Sequence, residues 1–175
     1  RKCGYGGYKY DGRWKAVVER MKSYYHLPED AAILDIGCGK GFMLHDFKED
    51  MPNCTVSGID ISEYAIGQAM PSVKPFLKVG SADKLDFPDN SFDLVISINS
   101  IHNLPLDRCK KSLQEIERVS RGNSYITVDA WRNEEEHQNL LKWVLTAETY
   151  MHVEEWKKLF PEIGYTGDYW WFIAD

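Results

Sequence analysis

Apolar positions change period along the chain. Between residues 11 and 25, Trp14, Val17, Val18 and Met21 recur at helical spacing. Asp11 stands where it could cap this helix, and Pro28 closes it. Beyond residue 31, short apolar runs alternate with amphipathic stretches. The runs at 32–36, 54–60, 76–79, 92–98 and 124–129 read as strands, and 41–50, 62–70, 105–120, 134–147 and 152–159 as helices. The run 92–98 is apolar almost throughout, as a central strand covered on both faces should be. Pro52 stops the helix before it, Ser62 is a plausible N-cap, Pro105 suits a first helical position, and Gly122 ends the long helix. Residues 169–174 form a last strand. Strands alternating with helices of this length predict a parallel sheet with right-handed crossovers. Ligand-binding residues should then follow the carboxyl ends of the strands.

The chain has 175 residues, enough for one domain over 1–175, with the Gly- and Tyr-rich residues 1–12 as a loop or lid. Hydrophobic residues make up 43% and charged residues 27%, an ordinary globular balance. A net charge of −6 without basic clusters argues against a nucleic-acid partner. No apolar run is long enough to span a membrane, and the first five residues show no apolar leader. Cys3, Cys38, Cys54 and Cys109 form no paired motif and the five histidines no HExxH, so no metal site is expected. Such cysteine usage fits a reducing, cytoplasmic compartment.

The stretch Asp35-Ile36-Gly37-Cys38-Gly39-Lys40-Gly41 concentrates the chemistry. A buried strand runs into three glycines at alternate positions and then into a helix. Bare backbone there lets a ligand approach closely, and the helix N-terminus adds positive potential. A dinucleotide turn wants its third glycine one residue later. An acid two residues before the first glycine suits an ammonium group better than a pyrophosphate. The turn therefore favours a nucleoside that carries an amino acid. Asp60, ending the second strand, can accept from both ribose hydroxyls, which fits either ligand.

Five segments in order resemble the class I S-adenosylmethionine-dependent methyltransferases. Residues 35–41 resemble the family's first motif. Gly58-Ile59-Asp60-Ile61-Ser62 resembles its ribose-binding strand end, and residues 80–88, with Ser81 and Ala82, its adenine-lining segment. Residues 90–95 followed by Ile101-His102-Asn103-Leu104 resemble its fourth strand and active-site loop, and residues 115–119 the helix before its fifth strand. The resemblance implies S-adenosyl-L-methionine as cofactor and S-adenosyl-L-homocysteine as product. It places Asp35, Gly37, Cys38, Gly39, Gly41, Asp60, Ile61, Ser81, Ala82 and Asn99 around the cofactor. It also implies a Rossmann-like three-layer α/β/α sandwich on a mostly parallel six- to seven-stranded sheet with the last strand antiparallel. The sequence departs from the family at Ser81, where many members carry an acid that accepts from the adenine amine. A serine hydroxyl can accept too, or Asp83 could take over.

His102, just beyond the fourth strand, is the candidate general base, against a plain loop role. Asn99 could position the cofactor's methionyl part or the substrate. Asp129, Arg132 and Asn133, after the fifth strand, are candidate substrate contacts, or caps of the next helix. Tyr8 and Tyr10 could close over the cofactor and shield a sulfonium by cation–π contact. Cys38 reads as a small side chain in a tight turn rather than a nucleophile, and Asp93 as structural. The expected acceptor is a small polar molecule, a metabolite or sugar. Rival readings are a non-methylating enzyme that uses the same cofactor, a non-catalytic cofactor-binding module, and a dinucleotide-dependent oxidoreductase.

Overall fold

The computed structural model describes residues 9–174. Helix α1 (Lys15–Tyr24) leads into β1 (Ala32–Ile36), α2 (Phe42–Asp50), β2 (Thr55–Asp60), α3 (Glu63–Gly67) and β3 (Leu77–Val79). The second half holds β4 (Leu94–Ile98), α4 (Leu106–Val119), β5 (Ser124–Trp131), α5 (Glu134–Trp143), β6 (Met151–His152), α6 (Val153–Glu162) and β7 (Asp168–Phe172). The strand order is β3-β2-β1-β4-β5, with β6 and β7 both pairing β5. β1 and β4, far apart in sequence, are neighbours, so the sheet's switch point opens beside the glycine turn.

The sheet divides two apolar layers. On one face Ile33, Leu94 and Ile96 pack with Val18 of α1 and Leu44 and Phe47 of α2. On the other, Leu34, Val95, Ile126 and Val128 pack with Leu113 and Ile116 of α4 and Trp156 of α6. Neighbouring residues of β1 and β4 serve opposite layers, which is why both strands read as continuous apolar runs.

Every strand pairing among the described residues is parallel, which corrects the expected antiparallel last strand. β7 runs beside β5 in the same direction, from Tyr125↔Asp168 to Asp129↔Phe172. The chain returns to the start of β5 through α6, a crossover rather than a hairpin. The segment 164–167 before β7 is only a turn after α6, so no strand is joined to β7 by a hairpin. The parallel course carries Trp171 and Phe172 to the edge of the sheet where β1, β2 and β4 end.

Local differences have local causes. Asp11 does not cap α1; its carboxylate takes the backbone N–H of Arg13 at 3.2 Å and grips the same residue's guanidinium. The fourth strand starts at Leu94 because Phe92 bridges Ser120 and the Asp93 carboxylate accepts the Ala32 N–H at 2.7 Å. Asp93 is structural, as read.

Candidate active site

A cleft of about 1220 Å³ opens along the carboxyl ends of β1, β2, β4 and β5. Asp35, Gly37, Cys38, Gly39, Asp60, Ile61, Ser81, Ala82 and Asn99 all line it. Gly41 lies just outside, at the N-cap of α2.

The turn after β1 is held by its own backbone. The N–H groups of Gly37 and Cys38 both donate to the Ile59 carbonyl, at 2.7 and 3.1 Å, and that of Gly41 donates to the Cys38 carbonyl at 2.9 Å. The Gly39 N–H donates to the Asp60 carboxylate at 2.8 Å. A pyrophosphate needs free N–H groups at such a turn. Those of Gly37, Cys38, Gly39 and Gly41 are committed, and two carboxylates flank them, so the turn suits a dinucleotide poorly.

Its glycines differ in kind. Gly37, at φ 78°, would place a Cβ 2.1 Å from the Ser100 Oγ, whereas Gly39, at φ 54°, has no atom within 4 Å of where its Cβ would be. We expect Gly37→Ala to disturb the fold itself, lowering the melting temperature by several degrees. Gly39→Val should cost about 1–3 kcal/mol in backbone strain and abolish cofactor binding with the sheet intact. Circular dichroism and calorimetry on the two variants check this separation.

Asp35 is buried, and among the described residues no hydrogen-bond donor reaches its carboxylate. Burial, with the charge of Asp60 adding to it, pushes its pKa up to about 7. A buried acid without a cation is the arrangement an incoming ammonium would relieve. Asp60 takes the Gly39 N–H on one oxygen and the Ser62 N–H on the other, each at 2.8 Å. A carboxylate offers about four acceptor sites, so each oxygen keeps one for a ribose hydroxyl. The donor set thus fits S-adenosylmethionine: Asp35 for the ammonium, Asp60 for the ribose, open backbone at Gly39 between. Cys38 is buried, and its thiol is pushed far up by burial and the two acids, so it is not a nucleophile.

Asn99 closes the far side. Its backbone sits at φ 49°, which Asn tolerates better than most residues. Its N–H donates to Thr127, and its side-chain oxygen accepts the Thr127 hydroxyl at 2.7 Å. The amide NH₂ group is left to donate towards a ligand.

Of the candidate catalytic and substrate residues, His102 and Asp129 are brought together, in a small pocket that they line with Asn99, Asn103, Leu145, Thr146 and Phe172, whereas Arg132, Asn133 and Tyr10 each have other partners. His102 is buried, its Nδ1 accepting the Asp129 N–H and its Nε2 facing the Asp129 carboxylate, both at 3.4 Å. Burial lowers the imidazole pKa to about 4 and raises the Asp129 carboxyl to about 6. The His102 carbonyl also accepts the N–H groups of Glu148 and Thr149, so this turn braces the 144–150 loop. Arg132 forks onto Glu136, and Asn133 caps α5 by accepting the Glu136 N–H at 3.0 Å. The capping alternative fits Asn133, and Arg132 pairs with an acid in the first turn of the same helix. Tyr10 donates its hydroxyl to the buried Asp46 of α2 and packs edge-on against Phe42 and His45. Tyr8 lies outside the described residues.

Asn103, Thr127, Leu145, Thr146, Trp170 and Phe172 also line the cleft beyond Asn99. Thr127 was findable only through its register with Ile98. The β7 aromatics needed the strand's direction, and Leu145 and Thr146 lie in a loop without periodicity.

Comparison with known proteins agrees with this geometry. The sequence model of the methyltransferase-domain family matches residues 33–123, from β1 to the end of the α4 segment. A tRNA (carboxymethyluridine(34)-5-O)-methyltransferase of Arabidopsis thaliana is 33% identical over 82% of this chain and 34% of its own length. A demethylmenaquinone methyltransferase of Symbiobacterium thermophilum is 30% identical over 68% of this chain and 50% of its own. The chain thus spans between a third and a half of these relatives. Among solved structures, the YcgJ protein of Bacillus subtilis, at 21% identity, superposes with a TM-score of 0.66 over 85% of this chain and 67% of that one, a likeness of fold. With the glycine turn, its two acids and the family match in agreement, the chain belongs to the class I S-adenosylmethionine-dependent methyltransferases.

Proposed function

We propose that this chain transfers a methyl group from S-adenosylmethionine to a small polar acceptor seated beyond Asn99. The observation that carries the reading is the pair Asp35 and Asp60 flanking a turn whose N–H groups are already used. The cofactor supplies an electrophilic methyl group on a sulfonium. The protein's part is to hold the acceptor in line with it and to exclude water, which can contribute about 7–11 kcal/mol to lowering the barrier. The Asn99 amide and the Asn103 and Thr146 side chains, themselves bonded at 3.0 Å, offer polar contacts at the reacting end. Trp170, Phe172 and Leu145 give the acceptor's body an apolar wall.

A net charge of −6 disfavours a polyanionic acceptor, although the Arabidopsis relative is named for tRNA. Incubation with methyl-labelled cofactor and a cell extract, then separation of RNA, protein and dialysable fractions, tests the proposal. Label is expected in the dialysable fraction. Label confined to RNA would overturn the small acceptor, and cofactor binding without any transfer would favour a binding module.

His102 takes no direct part in this reading. At saturating cofactor the rate should show no limb between pH 6 and 7, the ordinary imidazole range of about 6.5. His102→Asn is expected to lower the melting temperature, since the 144–150 loop and Asp129 lean on it, and to reduce turnover less than about tenfold. A fall of 10²–10⁴ with stability unchanged would restore the general base.

A further inference from the structure

Asp129, near the end of β5, carries a buried carboxylate that cofactor binding does not use. It stands beside Phe172 in the register of β5 and β7. With His102 it lines a pocket of about 10 Å³, room for one water-sized group. Asn99, Asn103, Leu145, Thr146 and Phe172 line both this pocket and the cleft, so the pocket adjoins the acceptor end. Trp143 and Phe172, with ring centroids 5.5 Å apart, give it an aromatic wall.

The pocket holds one charge. Nδ1 of His102 accepts the Asp129 N–H, so the ring proton sits on Nε2, 3.4 Å from one carboxylate oxygen. Burial lowers the imidazole pKa to about 4, and the ring is neutral. Burial raises the Asp129 carboxyl only to about 6, so at pH 8 it is an anion. Among the described residues no donor reaches its second oxygen, and no Lys or Arg lines the pocket. A buried anion without a counter-charge is costly, and an aromatic face attracts a cation.

We propose that this pocket anchors an ammonium group of the methyl acceptor, which makes the acceptor a small amino compound that takes the methyl group on a different atom. The proposal rests on the methyl-transfer reading above and adds the acceptor's charge to it. An ammonium group is about the size of a water molecule and donates three hydrogen bonds. The free oxygen of Asp129 takes one. The Asn103 side-chain oxygen, which accepts the Thr146 hydroxyl at 3.0 Å, keeps a lone pair for another. The anchored nitrogen has no lone pair of its own, so a second atom of the same molecule, lying in the cleft beyond Asn99, must attack the methyl carbon.

An NMR titration of the isotope-labelled protein with methylammonium chloride at pH 8, with sodium chloride at matched ionic strength as reference, tests this without the natural acceptor. S-adenosyl-L-homocysteine binding is measured first. Saturable shifts are expected at the amides of Asn103, Thr146 and Ala147, with a dissociation constant of about 10 mM, near the most that two non-hydrogen atoms can give. Methanol, which lacks the charge, and tetramethylammonium, which is too large, should each bind at least ~10-fold more weakly. Asp129→Asn should weaken methylammonium binding by at least ~10-fold. Phe172→Leu, which keeps the carboxylate and removes one aromatic face, should weaken it about two- to fivefold, and carries the test should Asp129→Asn not fold. A parent protein that binds S-adenosyl-L-homocysteine but shows no saturable shifts overturns the proposal alone. So does methanol binding as tightly, a folded Asp129→Asn that binds methylammonium unchanged, or a labelled dialysable product without an amino group. Methylammonium binding without any S-adenosyl-L-homocysteine binding would overturn the cofactor reading, and the pocket's role in holding a methyl acceptor with it.

Discussion

Replacing Asp60 with alanine is expected to weaken S-adenosylhomocysteine binding by at least ~100-fold while the sheet survives. Two charge-assisted hydrogen bonds to the ribose, each worth about 1.5–3 kcal/mol, would be lost. The same change frees the N–H of Gly39 and that of Ser62 from their 2.8 Å bonds to this carboxylate. The glycine turn and the first turn of α3 are thus loosened where the ligand lies, adding to the loss. The Asp60 charge also raises the Asp35 pKa, so its removal moves Asp35 back towards the ordinary carboxylate range. Calorimetric titration gives the affinity, and circular dichroism shows that the sheet, in which β1 and β2 pair from Ala32↔Thr55 to Ile36↔Ile59, remains. Asp60→Glu should recover part of the binding. An affinity left intact in Asp60→Ala would remove the residue from the site.

Much of this was legible because it is local. Asp35, the three glycines and Asp60 announce themselves through strand ends and turn chemistry, and each candidate cofactor residue except Gly41 lines the cleft. Strand direction is a different matter. An alternating or apolar run reads the same from either end, so residues 169–174 could be placed in the sheet but not oriented. The direction was set by α6, which carries the chain back across the sheet, and with it went the role of Trp170 and Phe172. His102 illustrates the other limit. Its position after β4 is legible, but it falls in a single tight turn, Ile101–Asn103, and the sequence does not show which partners its ring takes. Tertiary partners set that: the Asp129 carboxylate and the 144–150 loop, with which it lines a small pocket next to Asn99. Arg132 and Asn133 had a local alternative, the N-terminus of α5, and that is the role they play in the structure. Ser81, where the sequence departs from the family's pattern, is bonded by Arg108, 27 positions away, a contact that no local pattern shows.

Asp35→Asn is expected to remove cofactor binding and, at the same time, to stabilise the unliganded protein above pH 7. The folded-state pKa of Asp35 is raised to about 7 by burial first and by Asp60 second. An unfolded aspartate titrates near 3.9. Between these values the folded protein binds a proton that the unfolded chain does not, so stability falls as pH rises from about 4 to 7. Above pH 7 the buried charge costs at most about 4 kcal/mol, from about three pKa units at 1.36 kcal/mol each. Asparagine keeps the shape and removes the charge. The variant should therefore melt several degrees above the parent at pH 8, and the difference should vanish near pH 4. Binding runs the other way. The cofactor's ammonium needs the carboxylate as anion, so the parent's affinity should fall as pH drops below 7, with a proton released on binding at pH 6. In Asp35→Asn the buried ammonium would lack its counter-charge, a loss of about 3–5 kcal/mol, or more than ~100-fold. Its residual affinity should be independent of pH across this window. Melting curves and titrations at pH 4, 6 and 8 measure both effects. A variant less stable than the parent at pH 8, or one that binds the cofactor normally, would show that Asp35 already has a cationic partner and is no ammonium site.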